Sequence, residues 1–501
     1  MEDRTDVQAS AAVKERDGQG GNPAPETRRV QCSVRINGDV LRCDVEAGFL
    51  PIFAKTGEKT GEMFYVAYRK PQTNPPEPRP VSFIFNGGPG SAALMLHMDC
   101  FGPWIVDLGN GIDIAQVPFR LMDNPDTPFS DSDLVFIDPI GTGYSRAVPS
   151  LDEAKTFWGA DVDAQSVCQF IRVYLTKNRA FGSPFYVIGE SYGGFRCGAM
   201  AAHLQDMGLQ PAGLVLISPA LNYQDLVTLA GNDRPYIHTL PTMANAAWYH
   251  KKLPQRLLSM DQESVYQEAR AWAHSRYLAA LWKGNTLGPE EKRVLAEEFA
   301  SYTGLAPEEV LQLNLRVPIE YFAGNLLRED RLFLGVYDAR CTSAGKGHSY
   351  EEDPSTFRAQ LPALPALMCL LTEEIGLVLD EEYRFNNKEL YPAWDFFAGV
   401  PNPAKRGGGF TGSIDALSKS LRRNETVKLF LASGNYDLRC NRGASEFAMN
   451  QLDVPDSVRE GIVIKAYEGG HMFYTNPDAR AKFCRDLKAF YAAEPRKKGG
   501  R

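Results

Sequence analysis

The 501-residue sequence lacks any apolar run near the roughly 18 residues that a membrane-spanning helix needs, and its most apolar stretch, 361–371, is broken by Pro362 and Pro365. No transmembrane helix is expected. Cysteine is sparse and odd in number: nine residues, at 32, 43, 100, 168, 197, 341, 369, 440 and 484, form no CxxC pair, which argues against a disulfide scaffold and a dedicated zinc site. Positive charge is not in excess. The 54 Lys and Arg stand against 62 Asp and Glu, and the net charge of −8 has the wrong sign for binding nucleic acid or anionic lipid by charge. Neither nucleic acid nor a membrane is an expected partner. The N-terminus has no apolar core preceded by basic residues, so no signal peptide is read there; residues 1–28 are expected to be a disordered arm, and a cytoplasmic location is the default expectation.

What is present is the composition of a globular chain, 44% hydrophobic, 23% charged and 11% aromatic. Its length corresponds to about three domain-sized units, or to one large domain carrying an insertion. Residues 30–70 alternate apolar and polar positions around Asn37-Gly38, a type I′ turn signal, and predict an antiparallel hairpin lead-in. After the Pro-rich loop PQTNPPEPRP come short, nearly continuous apolar runs at 81–85, 134–137, 185–188, 214–217, 427–432 and 462–467, with helical patterns such as 161–177 and 193–207 between them. Such runs are strands buried on both faces, so the fold class is α/β with a largely parallel central sheet. Residues 223–423 are dominated by charged, helix-favouring segments, 262–283, 288–303 and 306–313 among them. They are expected to form a mostly helical cap inserted into a catalytic domain made of 29–222 and 424–495.

Residues 189–194 read GESYGG, directly after the run 185–188 and before a helical pattern. Gly-x-Ser-x-Gly at a strand-turn-helix junction places its serine on a strained elbow, exposed at a helix N-terminus, which makes Ser191 a candidate nucleophile. A serine hydroxyl needs a base, and the base an orienting carboxylate. Of seven histidines, His97, His203, His238, His250, His274 and His348 lie in helical or loop patterns, whereas His471 follows the run 462–467 through Glu468-Gly469-Gly470. Asp437 follows the run 427–432 in SGNYD. The order Ser191, Asp437, His471 is that of an α/β-hydrolase. Two backbone N–H donors must also face the tetrahedral intermediate, and the candidates are Tyr192 and the loop Asn86-Gly87-Gly88-Pro89-Gly90. The GTG at 141–143 is not a dinucleotide loop, because a third glycine would be needed where Arg146 stands. No cofactor is expected.

Four segments together resemble the serine carboxypeptidase family of α/β-hydrolases: FNGGPGS (85–91), DPIGTGYS (138–145), GESYGG (189–194), and GNYDLRCN (434–441) with GGHM (469–472). The resemblance covers about 45–222 and 424–492 and implies release of C-terminal residues from peptides. Ser191 would be the nucleophile, His471 the base and Asp437 its orienter, with Gly88 and Tyr192 as oxyanion donors. It further implies that Asn86 and Glu190 bind the substrate's terminal carboxylate, which requires a proton on one of the two carboxyl groups and hence an acid-leaning activity. The expected partner is a peptide with a free C-terminus, and the expected assembly a monomer or homodimer. Departures are visible: Cys100 stands where many members have a second glutamate, Ile84 where a tryptophan is common, and Ser91 where many have a disulfide-bonded cysteine. Asp99 is the neighbour that could complete the clamp, and Cys440 matches a cysteine many members carry near the site. An esterase or acyltransferase on the same scaffold is the alternative, since an acyl-enzyme can be completed by water or by another alcohol.

Overall fold

The computed structural model describes residues 27–71, 78–113, 117–149, 151–345, 353–397 and 411–494. Nearly all of the N-terminal arm, six residues of the Pro-rich loop, and His348 lie outside the described residues. The lead-in is β1 (Arg28–Ile36), β2 (Asp39–Phe53) and β3 (Lys59–Arg69), paired antiparallel. The two turn residues between β1 and β2, Asn37 and Gly38, have φ of 50° and 92°, the positive pair that a type I′ hairpin requires.

The apolar runs become β4 (Val81–Phe85), β5 (Asp133–Ile137), β6 (Phe185–Glu190), β7 (Gly213–Ile217), β8 (Lys428–Gly434) and β9 (Val463–Tyr467). They form one sheet in the order β1-β2-β3-β5-β4-β6-β7-β8-β9, parallel from β5 to β9, and the α/β expectation holds. Strand side chains alternate between two cores. Phe83, Phe85, Val187, Leu214, Leu216, Leu429 and Leu431 join one; Ile84, Tyr186, Ile188, Val215, Ile217, Phe430 and Ala432 join the other. A strand covered on both faces has no polar side to present, hence the continuous apolarity.

The first core is roofed by α1 (Ala160–Lys177) and α2 (Tyr192–Asp206). The second is closed by α6 (Pro354–Cys369) and α9 (Pro477–Ala492). Between β7 and β8, α3 (Arg234–Tyr249), α4 (Gln262–Trp272) and α5 (Pro289–Thr303) build a third core around Leu240, Val265, Ala269 and Phe299. Not all of 223–423 stands apart from the sheet. Leu367 of α6 belongs to the second core, and Leu417 and Leu421 of α7 (Ile414–Arg423) to the first. The stretch 361–371 lies mostly in α6, which stays helical through Pro362 and Pro365. No described helix is long and apolar enough to cross a membrane.

One buried ion pair ties the roof to the sheet. Arg196 of α2, 1% exposed, donates to Asp163 of α1 at 2.6 Å and to the main-chain carbonyl of Asn86 at 2.9 Å. Its guanidinium lies 5.0 Å from the ring centroid of Phe85 and 5.2 Å from that of Tyr192. Removing one partner leaves the other charge buried and unpaired, so Arg196→Met is expected to cost about 3–5 kcal/mol in urea unfolding, and adding Asp163→Leu to recover much of that loss.

Candidate active site

The parallel strands deliver the candidate residues to one place because all of them lie at or just beyond the strands' carboxyl ends. Asn86 follows β4, Ser191 follows β6, Asp437 follows β8 and His471 follows β9. Ser191 has φ 59° and ψ −124°, a region that side-chain-bearing residues rarely occupy. Its N–H donates to the Ile217 carbonyl at 2.9 Å, and its own carbonyl accepts from Gly194 at 2.9 Å and Ala220 at 3.0 Å. The turn is tight: a Cβ on Gly189 would lie 2.2 Å from the Gly193 carbonyl oxygen. Ser191 is thereby left half-buried between two buried neighbours, Glu190 and Tyr192.

Asp437 and His471 are joined by a 2.7 Å contact between Oδ2 and Nδ1. Oδ1 of Asp437 accepts the N–H groups of Arg439 and Cys440, each at 2.9 Å, which fixes the carboxylate's plane. Burial alone would push His471 down, but the charge and hydrogen bond of Asp437 outweigh it, so the imidazole's pKa is raised. The Cys440 thiol, pushed up chiefly by burial, is within hydrogen-bonding reach of the Ser191 side chain. Its sulfur, an Asp437 oxygen and a His471 nitrogen lie within 4.8 Å of one another. Serine, acid and histidine are thus gathered around Cys440. No hydrogen bond joins Ser191 Oγ to His471, a looseness common in sites without substrate.

The other expected residues fall beside this cluster. Gly88, φ 100°, is exposed at the end of the loop after β4, while Tyr192 opens α2. A Cβ on the intervening Gly87 would meet the Tyr192 nitrogen at 2.5 Å, so the two candidate donor segments are in backbone contact. Asn86 Nδ2 donates to Glu190, and Asn86 Oδ1 accepts from Leu96 at 3.1 Å. Glu190, 1% exposed, is driven up by burial against the opposing pull of His471, Tyr474 and Asn86. Asp99 lies in the same buried region: neither of its oxygens has a hydrogen-bond partner, and burial followed by the charge of Glu190 pushes it well up. The Cys100 thiol is pushed up by burial and by its hydrogen bond to Cys484, with the charge of Glu190 adding to the shift. At Ser91 no disulfide forms; the loop is held by main-chain bonds instead, Ala92 N–H to Phe385 O at 3.0 Å and Asn387 N–H to Gly90 O at 2.8 Å.

Sequence reasoning missed Tyr474, whose hydroxyl donates to Glu190 at 2.5 Å from three positions after His471. It also missed Arg196, which carries no motif of its own. Beside the Asp437 loop a cavity opens between Leu226, Val317, Ile319 and Leu438, with the Arg439–Glu320 pair, 3.2 Å apart, on its wall.

If the 2.7 Å contact is Nδ1–H donating to Asp437, the nitrogen left to take a proton is Nε2. Asp437→Asn is therefore expected to slow covalent labelling of Ser191 by a fluorophosphonate by about 10³- to 10⁴-fold. An unchanged labelling rate would remove Asp437 from the site.

Comparison with known proteins comes out consistently. The family model described as serine carboxypeptidase matches residues 37–271. Serine carboxypeptidase-like 9 of Arabidopsis thaliana is 25% identical over 189 residues, 37% of this chain and 39% of that protein. Venom serine carboxypeptidase of Apis mellifera is 28% identical over 167 residues, 33% of this chain and 32% of that one. The chain thus spans about two fifths or less of the length of these relatives. Among solved structures, a prohormone-processing carboxypeptidase from Saccharomyces cerevisiae aligns with a TM-score of 0.56 and 15% identity over 89% of this chain and 91% of its own, a likeness of fold.

Proposed function

We propose that this α/β-hydrolase, a relative of the serine carboxypeptidases, releases C-terminal residues from peptides through an acyl-enzyme on Ser191. The observation that carries the proposal is the buried Asn86–Glu190 pair set immediately before a strained serine. In this reading Ser191 Oγ attacks the last peptide carbonyl while His471 Nε2 takes its proton, later giving it to the departing amine. Asp437 holds the imidazole and stabilises the imidazolium. The N–H groups of Gly88 and Tyr192 receive the developing oxyanion. Water then repeats the sequence on the acyl-enzyme.

Recognition of the free carboxylate follows from two features. Asn86 Nδ2 has two N–H bonds, one spent on Glu190, which leaves the second for a ligand. Glu190 can donate to an anion only while protonated, and burial, with a smaller push from the charge of Asp437, raises the pH to which it keeps that proton against the pull of His471, Tyr474 and Asn86. Helices α3, α4 and α5, which share the third core, fit the part of a cap, and the cavity bounded by Leu438, Ile319 and the Arg439–Glu320 pair suits one substrate side chain.

The pH dependence follows with its sign. Neutral His471 is gained as pH rises through its raised pKa, whereas protonated Glu190 is lost as pH rises through its own. Only substrates with a free carboxylate need the second group. With purified protein and N-blocked dipeptides, kcat/KM for free acids is expected to peak at lower pH than for the matching amides or esters. Glu190→Gln should erase that difference, and Ser191→Ala should abolish turnover of both. A free-acid profile flat from about pH 4 to 8, or one untouched by Glu190→Gln, would overturn the clamp. Equal turnover of acids and esters would instead favour the esterase reading.

A further inference from the structure

Three features compete for an explanation: the unpartnered Asp99 carboxyl, the directly opposed Cys32 and Cys43 of the first hairpin, and a short segment at 336–341 lying against the loops that carry Asp437 and His471. The third is carried furthest by the geometry. The segment belongs to the region between β7 and β8, yet it bonds to both loops at once. The Leu438 N–H donates to the Val336 carbonyl at 3.1 Å, and the Ala339 N–H to the Tyr436 carbonyl at 3.0 Å. One residue further along, the His471 N–H donates to the Tyr337 carbonyl at 2.5 Å, and the Gly470 N–H to Asp338 Oδ2 at 2.9 Å.

Arg340 locks this arrangement. Its side chain is 2% exposed and grips Asp338 through two bonds, Nε to Oδ1 at 3.0 Å and Nη2 to Oδ2 at 2.7 Å. Nη1 reaches Glu468 at 3.3 Å, and the guanidinium lies 5.3 Å from the ring centroid of Tyr436, the residue before Asp437. The Asp338 carboxylate that receives Gly470 is therefore held by a cation that also touches both loops. Backbone approach explains the glycine beside the histidine. A Cβ on Gly470 would sit 2.1 Å from the Tyr337 oxygen and 2.4 Å from the Asp338 Cβ, and one on Gly434 would sit 1.8 Å from the Gly470 oxygen. The Tyr337 ring meets the His471 ring edge-on at 5.3 Å.

We propose that Asp338 and Arg340 are positioning residues for the reaction at Ser191, clamping the Gly469-Gly470-His471 backbone against the Asp437 loop so that the imidazole is held where the serine needs it. The proposal rests on the reading of Ser191, Asp437 and His471 as the hydrolytic residues. A Gly-Gly lead gives the histidine's backbone more freedom than any other pair of residues would, and the bond to Asp437 fixes the ring but not the main chain. An error of about 1 Å in such a group can cost about 100-fold in rate, and the segment removes that freedom.

The test uses the full chain and three variants: Asp338→Asn, Arg340→Lys and Arg340→Ala. Kinetics are measured with an N-blocked dipeptide and labelling with a fluorophosphonate, with near-UV circular dichroism as the check on folding. Arg340→Ala and Asp338→Asn are expected to lower kcat by about 10- to 100-fold with KM changed less than about two-fold. Labelling should slow by a similar factor, and Arg340→Lys should fall between wild type and Arg340→Ala. Folded variants with unchanged kcat, a KM effect without a kcat effect, or a lysine variant no better than alanine would each overturn the proposal. So would unfolding of all three variants, which would make the segment a general structural support. Failure of wild type to label, or full activity in Ser191→Ala, would instead strike the underlying reading, and so is told apart from failure of the clamp.

Discussion

Everything around the site depends on one main-chain conformation, that of Ser191 at φ 59° and ψ −124°. Holding a residue with a Cβ there costs about 1–3 kcal/mol, and the surroundings must make every alternative worse. They do so through the carbonyl of β7 that receives the Ser191 N–H and the two N–H groups that occupy its own carbonyl. The turn gives three consecutive residues three environments. Glu190 remains within the sheet layer, Ser191 emerges at its edge, and Tyr192 starts a helix in whose first turn the Gly194 N–H is taken by the Ser191 carbonyl. The same few bonds thus produce a buried acid, a half-buried hydroxyl and a helix-start N–H, with no long-range contact beyond the neighbouring strand and the residues that follow it.

Charge is the second constraint. Glu190 and Asp99 are both wholly buried, each disfavours ionisation of the other, and Asp99 has no hydrogen bond to compensate its desolvation. Two carboxylates in such a region disfavour joint ionisation; Asp99, without a hydrogen bond, is pushed well up, whereas Tyr474 and Asn86 favour the charged form of Glu190. That charge in turn favours the imidazolium form of His471. Glu190 and the imidazole therefore draw on a common proton count, and their titrations belong to the pair.

Legibility from sequence followed the range of the interactions involved. The sheet could be read almost strand for strand because burial on both faces removes polar residues from each run, and 81–85, 185–188 and 214–217 each reappear within β4, β6 and β7. The elbow was legible for the same reason, since Gly189, Ser191 and Gly193 are local. Asp437 and His471 could be matched only through strand-end position, chain order and resemblance, because their contact crosses 34 residues of chain. Tyr474, Arg196 and the 336–341 segment carried no signal. Their roles depend on which atoms meet in space, and a tyrosine, an arginine or an Asp-x-Arg has no pattern of its own. Cys440 was placed near the site only by resemblance, and its proximity to Ser191 is geometric.

These two ranges of interaction divide the site unevenly. Ser191 is fixed by bonds within the β6 to β7 neighbourhood, which is complete before the chain enters the 223–423 region. Asp437 and His471 come after it, on loops at β8 and β9, the latter an edge strand with Ile464 exposed. An edge strand is paired on one side only, so the loop it carries gains less from the sheet than the elbow does. Residues 336–341 hold this loop from within the intervening region, together with the Ser218 hydroxyl on the His471 carbonyl at 2.8 Å and the Tyr436 N–H on the Gly469 carbonyl at 2.9 Å. A segment bonded to the backbone of His471 cannot drift as a detached lid would without disturbing the histidine. On the proposed reading of His471 as the base, this segment would help to orient it, and the elbow alone would present a strained serine with nothing to take its proton.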